Sequence, residues 1–406
     1  SSENYERRFI MTFPNETLPK GRRQKTTSLY DRFVSMGAVM GDSFGLESVL
    51  WFANNKEDAH EEPTIKRSRS HEYVSKEVKN VRENVGVIEV ANFSKHEFQG
   101  PDARKFLNYV LAGRIPKPGR ICLNPMLTPK GKLYGDLTVA CLNENRFIIF
   151  GSGAVQEMHR RWFESHLKGF NVTYKNRSDD FHGLALSGPK SRDLLQKLVR
   201  ENISNENFKF RDVREMFVAG VPAVVNRISF TGELGYEIYV APHFQLKLYE
   251  EIEAVGKEFN LKPFGGRALM SMRLEKNWGA WTLDFRPDFT AKESGLDIFI
   301  DWKKDFIGKK FAENDKSNLK LTPMIVETKD IDVTNNEAVI KDGKSIGYIT
   351  SGGFAHYVKK SIAYSYLDKK ISKSNEKFQV EINGDFYDCS IIKEPLYDPR
   401  GTKMRS

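Results

Sequence analysis

Two stretches of the chain, residues 98–110 and 186–198, share one pattern of apolar and polar positions. In each stretch an extended run leads into Gly-Pro, at Gly100 and at Gly188, and apolar residues follow at positions i, i+1 and i+4. Proline has a fixed φ and is tolerated in the first turn of a helix, and this apolar spacing gives a helix one buried stripe. The sequence therefore predicts a strand–helix unit that occurs twice, in two related α+β lobes packed together.

The remainder of the chain lacks this pattern. Residues 305–406 show short alternating runs, such as 378–382, separated by glycines, and Asn383-Gly384 is a hairpin signal. Residues 1–75 show little periodicity, and 54–70 are polar. We predict an α+β protein with an N-terminal arm over 1–75, a core of two related lobes over 76–304, and a C-terminal antiparallel β-barrel or jelly roll over 305–406.

The composition is that of a folded protein. Of 406 residues, 39% are hydrophobic and 12% aromatic, which excludes a disordered chain. No run approaches the roughly 18–20 apolar residues of a membrane helix, and the polar N-terminus lacks the apolar region of a signal peptide. Cys122, Cys141 and Cys389 form no CxxC pair, so we expect a reducing compartment, the cytoplasm or, in a eukaryote, the mitochondrial matrix.

Charge and motifs narrow the chemistry further. The net charge is +9, with basic runs at 20–25 and 66–69 that indicate either a solvated surface or an anionic ligand. No nucleic-acid recognition motif accompanies the charge. GxGxxG, GxxxxGK[ST], HExxH and GxSxG are all absent, and no two histidines stand at metal-binding spacing. We therefore expect the chain itself to bind no flavin, nicotinamide or metal, nucleic acid or membrane.

Asp136 is a candidate catalytic carboxylate. In a strand over 133–139, Leu133, Leu137 and Val139 share one face, and Tyr134, Asp136 and Thr138 share the other. Aspartate is depleted in strands. Asp136 is therefore either a turn or edge residue or a carboxylate that faces a cavity, where it would stabilise a cation or move a proton.

Glu237 and Arg267 are candidate binding residues. Tyr236, Ile238 and Val240 are expected to face the core, which places Glu237 with Tyr239 on the opposite face of a strand. Glu237 is then either solvated or able to accept two N–H groups from a heterocycle. Arg267 is expected at the start of a helix, where the helix dipole disfavours a cation, so it is either solvated or faces an anion.

Four motifs in this order resemble one family. They are Tyr-Gly-Asp136-Leu-Thr, Thr-Gly-Glu-Leu-Gly-Tyr-Glu237, Gly-Arg267-Ala-Leu with Arg273-Leu-Glu275, and 350–353 (Thr-Ser-Gly-Gly) before Lys-Ser-Ile-Ala. Together they resemble the tetrahydrofolate-binding aminomethyltransferases, the family of the glycine cleavage T-protein. Segments 5–9, 28–32, 37–39 and 51–53 and the tail 394–399 resemble the folate half of dimethylglycine and sarcosine dehydrogenases and oxidases.

The resemblance implies a three-lobed cloverleaf with tetrahydrofolate in a central channel. By motif match Glu237 would bind the pterin ring, Arg267 an anionic group, and Asp136 would assist attack on an iminium or aminomethyl carbon; Phe230 and Tyr134 are further expected contacts. Phe230 stands where the family commonly has tyrosine, so a hydroxyl is missing there. The implied reaction captures the one-carbon unit of an oxidised N-methyl amine as 5,10-methylenetetrahydrofolate, with FAD confined to a separate flavoprotein half. The alternatives are direct methyl transfer to folate from a sulfonium or amine, and a non-catalytic regulatory relative.

Overall fold

A computed structural model describes residues 2–10, 13–14, 16, 20–374 and 376–406. Its helices are α1 Ser2–Glu6, α2 Tyr30–Ser35, α3 Ser70–Glu83, α4 Ala103–Val110, α5 Gln156–His166, α6 Ser191–Leu198, α7 Pro242–Gly256, α8 Gly266–Glu275, α9 Lys309–Glu313 and α10 Thr402–Arg405. Its strands are β1 Ala38–Ser43, β2 Leu46–Phe52, β3 Val85–Glu89, β4 Phe93–Gln99, β5 Arg120–Leu127, β6 Leu133–Asn143, β7 Arg146–Ser152, β8 Thr173–Asn176, β9 His182–Ser187, β10 Val213–Val218, β11 Val221–Asn226, β12 Gly235–Val240, β13 Leu261–Pro263, β14 Leu319–Val326, β15 Ala338–Lys341, β16 Lys344–Ala355, β17 Lys360–Asp368, β18 Phe378–Ile382 and β19 Asp385–Ile391.

The predicted repeat is present, and it extends beyond the strand–helix unit. A five-stranded sheet has the order β5-β6-β7-β4-β8, and a six-stranded sheet has the order β10-β11-β12-β9-β3-β13. In each sheet the strand before Gly-Pro, β4 or β9, pairs with the last strand of the antiparallel meander that follows it in the chain. The two lobes thus share one connectivity. Helices α4 and α6 begin two residues after their prolines rather than at them, because Gly-Pro forms the turn that leaves the strand.

Burial explains why both repeat helices pack on their own sheets. Phe106, Leu107 and Val110 are at most 1% exposed, and the equivalent leucines of α6 are also buried, at the predicted i, i+1 and i+4 positions. Gly100 and Gly188 have φ values of 145° and 131°, a region that side chains rarely adopt. A Cβ at Gly188 would also lie 2.4 Å from the carbonyl oxygen of Asn84. Glycine is therefore required at the turn for conformation and for close approach.

The C-terminal part is a closed antiparallel barrel with the strand order β14-β17-β16-β15-β18-β19. Strands β18 and β19 meet across Asn383-Gly384, and Ile382 pairs with Asp385, so the loop has two residues. Both loop residues have positive φ, 52° and 90°, as a type I′ turn demands. The predicted α+β class and the antiparallel barrel are confirmed, and the barrel alternative is the one adopted rather than the jelly roll.

The N-terminal part packs on the second lobe. Strands β1 and β2 form an antiparallel hairpin, and Leu29 and Phe33 are buried in one cluster with Leu184 and Leu186 of β9. Residues 54–69 carry no helix or strand, as the polar composition indicates. The division of the chain at residues 75 and 304 stays a prediction. Within the described residues no helix is both long and apolar enough to span a bilayer.

Candidate functional site

The sheets of the two lobes pack against each other through one buried cluster. The cluster contains Ala140 and Phe150 of the first lobe with Ala185, Val224 and Tyr239 of the second. The rings of Phe150 and Tyr239 have centroids 4.6 Å apart. Because side chains alternate along a strand, the faces that carry these residues are the faces that meet.

Asp136 belongs to the meeting face of the first lobe. It lies on β6 two residues before Thr138, which pairs with Phe150 in the sheet. The other face of β6 is fully buried at Leu133, Leu137 and Val139, as predicted. Asp136 is half-buried, and in the described part of the chain no other side chain forms a hydrogen bond or ion pair with its carboxylate. Burial raises the pKa of Asp136 from 3.8 to about 7.

Glu237 belongs to the meeting face of the second lobe. The hydroxyl of Tyr239 donates to Glu237 Oε2 at 2.9 Å. Across the sheet Glu237 pairs with Asn226, whose side chain is buried and whose amide oxygen accepts no hydrogen bond within the described residues. Burial raises the pKa of Glu237 to about 7, and the hydrogen bonds of the Tyr239 and Asn226 side chains oppose that rise. The predicted faces of β12 are confirmed, since Tyr236, Ile238 and Val240 lie in the other core cluster.

The two candidate carboxylates therefore lie on the surfaces through which the lobes face each other. The connection runs from Asp136 along β6 to Thr138, across to Phe150, and through the ring contact to Tyr239, which binds Glu237. An unsatisfied buried amide costs free energy, about 1–3 kcal/mol in proteins. The amide oxygen of Asn226 beside the carboxylate of Glu237 is thus an arrangement that a ligand with N–H donors would satisfy.

Arg267 lies on a different surface. It is the second residue of α8, as predicted, and the anion that it faces is Glu61, at 2.9 Å, with Ser70 Oγ accepting at 2.6 Å. It lines a cavity of about 790 Å³ between α3, α8 and the barrel, which also includes Arg273 and residues 351–353 of the barrel motif. Neither Asp136 nor Glu237 lines this cavity. Helix α8 separates this cavity from the interface between the lobes, since its residues Ala268 and Met272 pack in the cluster between the lobes.

Phe230 and Tyr134 have aromatic neighbours within the protein. The ring of Phe230, half-buried before β12, lies 5.9 Å from that of Trp278, and the two are stacked. The prediction that Tyr134 shares a face with Asp136 was wrong. The pairing of β5 with β6 shifts opposite Tyr134, and its ring packs 4.6 Å from Trp162, against the cluster that contains Leu137. A β-bulge of this kind changes the side to which a residue points.

Three functional candidates were missed from the sequence: Asn226, Tyr239 as a hydrogen-bond donor, and Lys95. Asn226 becomes visible only through the register of β11 with β12. Lys95 had a usable signal, because 94–97 reads Ser-Lys-His-Glu within a strand that leads into the Gly-Pro turn. All four of these residues are buried in β4.

Similarity to known proteins agrees with this architecture. The family described as the GCVT N-terminal domain matches residues 29–304, and the glycine cleavage T-protein C-terminal barrel domain matches 320–398. The chain is 34% identical to human mitochondrial dimethylglycine dehydrogenase over 99% of its own length, but it spans about half of that relative, 47%. It is 29% identical to an aminomethyltransferase of Desulfitobacterium hafniense, covering 93% of this chain and 99% of the relative.

A solved structure shows the same fold. The crystal structure of glycine cleavage system aminomethyltransferase T from Bartonella henselae superposes with a TM-score of 0.80 at 21% identity, covering 93% of this chain and 99% of that one. The resemblance inferred from four short motifs is thereby confirmed over both the lobes and the barrel. The chain belongs to the glycine cleavage T-protein family.

Proposed function

We propose that this chain binds tetrahydrofolate between its two lobes and captures the one-carbon unit of an oxidised N-methyl amine, of the dimethylglycine or sarcosine type, as 5,10-methylenetetrahydrofolate. The observation that carries the proposal is the pair of carboxylates, Asp136 and Glu237, whose pKa values burial raises to about 7 and which lie on the facing surfaces of the two lobes. The 34% identity to dimethylglycine dehydrogenase over nearly the whole chain supports the amine class.

The surroundings of Glu237 fit a pterin ring. Tyr239 occupies Oε2, which leaves Oε1 to accept an N–H from the amino-pyrimidinone edge. The amide oxygen of Asn226, which accepts no hydrogen bond within the described residues, adds an acceptor beside it. Hydrogen bonds to a charged group contribute about 1.5–3 kcal/mol each, so the polar groups around Glu237 would recognise a pterin ring specifically. Phe230 is proposed as an apolar contact, and contact between Tyr134 and a ligand stays a prediction.

Tetrahydrofolate, when bound, supplies two nitrogen nucleophiles for the one-carbon unit. The chain's own contribution comes from Asp136. Its carboxylate stabilises the positive charge of an iminium carbon and accepts the proton that an attacking amine loses. A pKa near 7 suits that task, because the group is then a competent base at neutral pH. Holding both reactants between the lobes replaces collision in solution with a fixed geometry.

Arg267 is proposed to bind an anionic part of the ligand, such as the glutamyl tail, rather than the pterin. It lies on the other side of α8 from the cluster between the lobes, and the cavity that it lines, about 790 Å³, is of a size that holds a small-molecule ligand. Binding there requires that the anion compete with Glu61, which pairs with Arg267 at 2.9 Å.

The oxidation itself is assigned to a flavoprotein half, in the same polypeptide or in a partner, with FAD confined to it. The chain spans 47% of human dimethylglycine dehydrogenase, and GxGxxG is absent from it. The compartment proposed is the mitochondrial matrix in a eukaryote, or the cytoplasm otherwise.

Titration calorimetry with tetrahydrofolate tests the binding, with Glu237→Gln as the variant and Glu215→Gln, exposed on β10, as the matched control. We expect binding to the wild type and the control and weakened binding to Glu237→Gln. The product formed from an oxidised N-methyl amine then identifies the reaction. Methylenetetrahydrofolate supports the proposal, methyltetrahydrofolate would show direct methyl transfer, and the absence of both product and binding would indicate a regulatory relative.

A further inference from the structure

Lys95 lies on β4 of the first lobe. Its side chain is completely buried where this lobe faces the second one. Its side chain is 0% exposed, and Nζ donates one hydrogen bond, to the carbonyl oxygen of Ala91 at 2.7 Å. An ammonium group has three donors, and lysine is almost never fully buried unless it is paired. Among the described residues no carboxylate forms an ion pair with it at contact distance. Any charge on Lys95 is therefore balanced only over a longer distance.

The groups that balance the charge of Lys95 include Glu237, the residue proposed to bind the pterin ring. Nζ lies 5.9 Å from the centre of the Tyr239 ring, and the hydroxyl of that ring binds Glu237. Glu89, at the end of β3, is a second carboxylate whose charge acts on Lys95, and it accepts a hydrogen bond from Gln245 at 2.6 Å. Lys95 is thus a buried cation that is linked to Glu237 through the ring of Tyr239.

The electrostatics of this group are mutual. Burial lowers the pKa of Lys95 to about 7, and Glu89, Asp179 and Glu237 oppose that shift. Burial raises the pKa of Glu89 and of Glu237 to about 7, and the charge of Lys95 lowers both. The charged and titratable groups around Lys95 are Glu89 on β3, Glu237 and Tyr239 on β12, His182 on β9, Asp179 before β9, and Lys25 of the N-terminal part. Lys25 is itself paired with Asp179 at 2.6 Å.

We propose that Lys95 is a positioning residue for ligand binding, whose ammonium keeps Glu237 in the carboxylate form that accepts N–H donors. The inference rests on the proposed folate function and deepens it. A carboxylate accepts hydrogen bonds at both oxygens, whereas a protonated carboxyl group donates one of its own. An N–H edge facing the protonated form would meet a donor where it needs an acceptor. Loss of the charge on Lys95 therefore weakens binding without removing any contact to the ligand.

The test compares neutral variants with different hydrogen-bonding ability. Lys95→Met matches the length of lysine without charge, and Lys95→Gln keeps an N–H that is able to donate to Ala91. Tetrahydrofolate affinity is measured from pH 5.5 to 9 by titration calorimetry, with Lys105→Met, exposed on α4, as the matched control. We expect affinity in the wild type to fall as pH drops through the titration of Glu237. In both Lys95 variants that midpoint moves up by about one pH unit, the usual effect of one neighbouring charge, while Lys105→Met keeps the wild-type profile.

The outcomes separate this inference from the function on which it rests. If the wild type binds no tetrahydrofolate, the proposed function fails. If it binds and either Lys95 variant keeps the wild-type pH profile, the role of Lys95 is structural and the inference is overturned. A measurement on the wild type alone guards against variants that do not fold: calorimetry in buffers of different ionisation enthalpy counts protons exchanged on binding. We expect proton release at pH 6 and none at pH 8.5. No release at pH 6 would also overturn the inference.

Discussion

The Asp136→Asn variant distinguishes the effect of the Asp136 carboxylate on stability from its effect on the rate of one-carbon transfer. Asparagine has nearly the same size and shape, so the change removes charge and leaves the volume intact. The apolar packing of β6 comes from its opposite face, at Leu133, Leu137 and Val139, each 0% exposed. No core contact is lost. Any change in stability then comes from the electrostatics of the carboxylate.

The sign of that change follows from the pKa of Asp136. The folded state raises this pKa from 3.8 to about 7, so the folded protein holds the proton more tightly than the unfolded chain does. The free energy of unfolding of the wild type therefore falls as pH rises from about 4 to about 7. About three pKa units at 1.36 kcal/mol each give a limit of about 4 kcal/mol, which partial exposure reduces to about 2–4 kcal/mol. We expect Asp136→Asn to exceed the wild type by that amount at pH 8 and to match it at pH 4.

The transfer activity of Asp136→Asn is expected to fall, although its stability at pH 8 rises. Loss of a general base or of a charge that stabilises a cation slows the step by roughly 10²–10⁴-fold. In the wild type the rate of methylenetetrahydrofolate formation rises with pH through about 7, whereas the variant has no such dependence. Single-turnover assays, with the iminium generated by a flavoprotein amine oxidase, measure the rate. Urea unfolding followed by tryptophan fluorescence at pH 4 and pH 8 measures the stability.

Two results would refute this reasoning separately. A folded Asp136→Asn protein that transfers at the wild-type rate would reduce Asp136 to a structural strand residue. A stability difference that stays constant between pH 4 and pH 8 would show that the carboxylate is not destabilised by burial. Tetrahydrofolate affinity serves as the internal control, because the proposed pterin contacts belong to Glu237 on the other lobe.

Three further outcomes are expected. Glu237→Ala weakens tetrahydrofolate binding by about 1.5–3 kcal/mol in calorimetry, the size of a hydrogen bond to a charged group, and unchanged affinity would remove Glu237 from the site. Arg82→Met lowers the free energy of urea unfolding by about 3–5 kcal/mol, because it leaves Glu233 and Glu275 buried without the cation that they contact at 2.9 and 2.6 Å; a loss below 1 kcal/mol would contradict this. The purified chain has no flavin absorption and oxidises neither dimethylglycine nor sarcosine, and an amine-bleached flavin spectrum would disprove that expectation.

The sequence predicts those features of the fold that depend on local patterns. The Gly-Pro repeat, the alternation at 235–240 and the Asn383-Gly384 turn each follow from neighbouring residues, and each is present. What it does not predict depends on register between distant strands. Asn226 reaches Glu237 because β11 pairs with β12 in one register, and Tyr134 turns away because β5 shifts by one residue against β6. Neither register has a signal in the motifs themselves.

The family motifs contain two kinds of charged residue: some form ion pairs or hydrogen-bond networks within the protein, and others contact no opposite charge. Arg273, Asp284 and Ser351 form a buried network with contacts of 2.8–2.9 Å that fixes α8 to the barrel. Glu275 likewise binds Arg82. These charges are paired within the protein, which gives them a structural role.

Asp136 and Glu237 differ from those motif carboxylates in one respect. Burial raises the pKa of each to about 7, and within the described residues no cation contacts either carboxylate. A folded protein retains such carboxylates, which no cation contacts, on surfaces that face each other, at a cost in stability that packing alone does not justify. Perturbed groups of this kind cluster at functional sites, because a ligand supplies the compensation that the chain leaves out. Motif membership alone would have treated Glu275 and Glu237 alike. Arg82 contacts Glu275, which gives Glu275 a structural role, whereas no cation contacts Glu237 within the described residues, which supports the proposal that Glu237 binds a ligand.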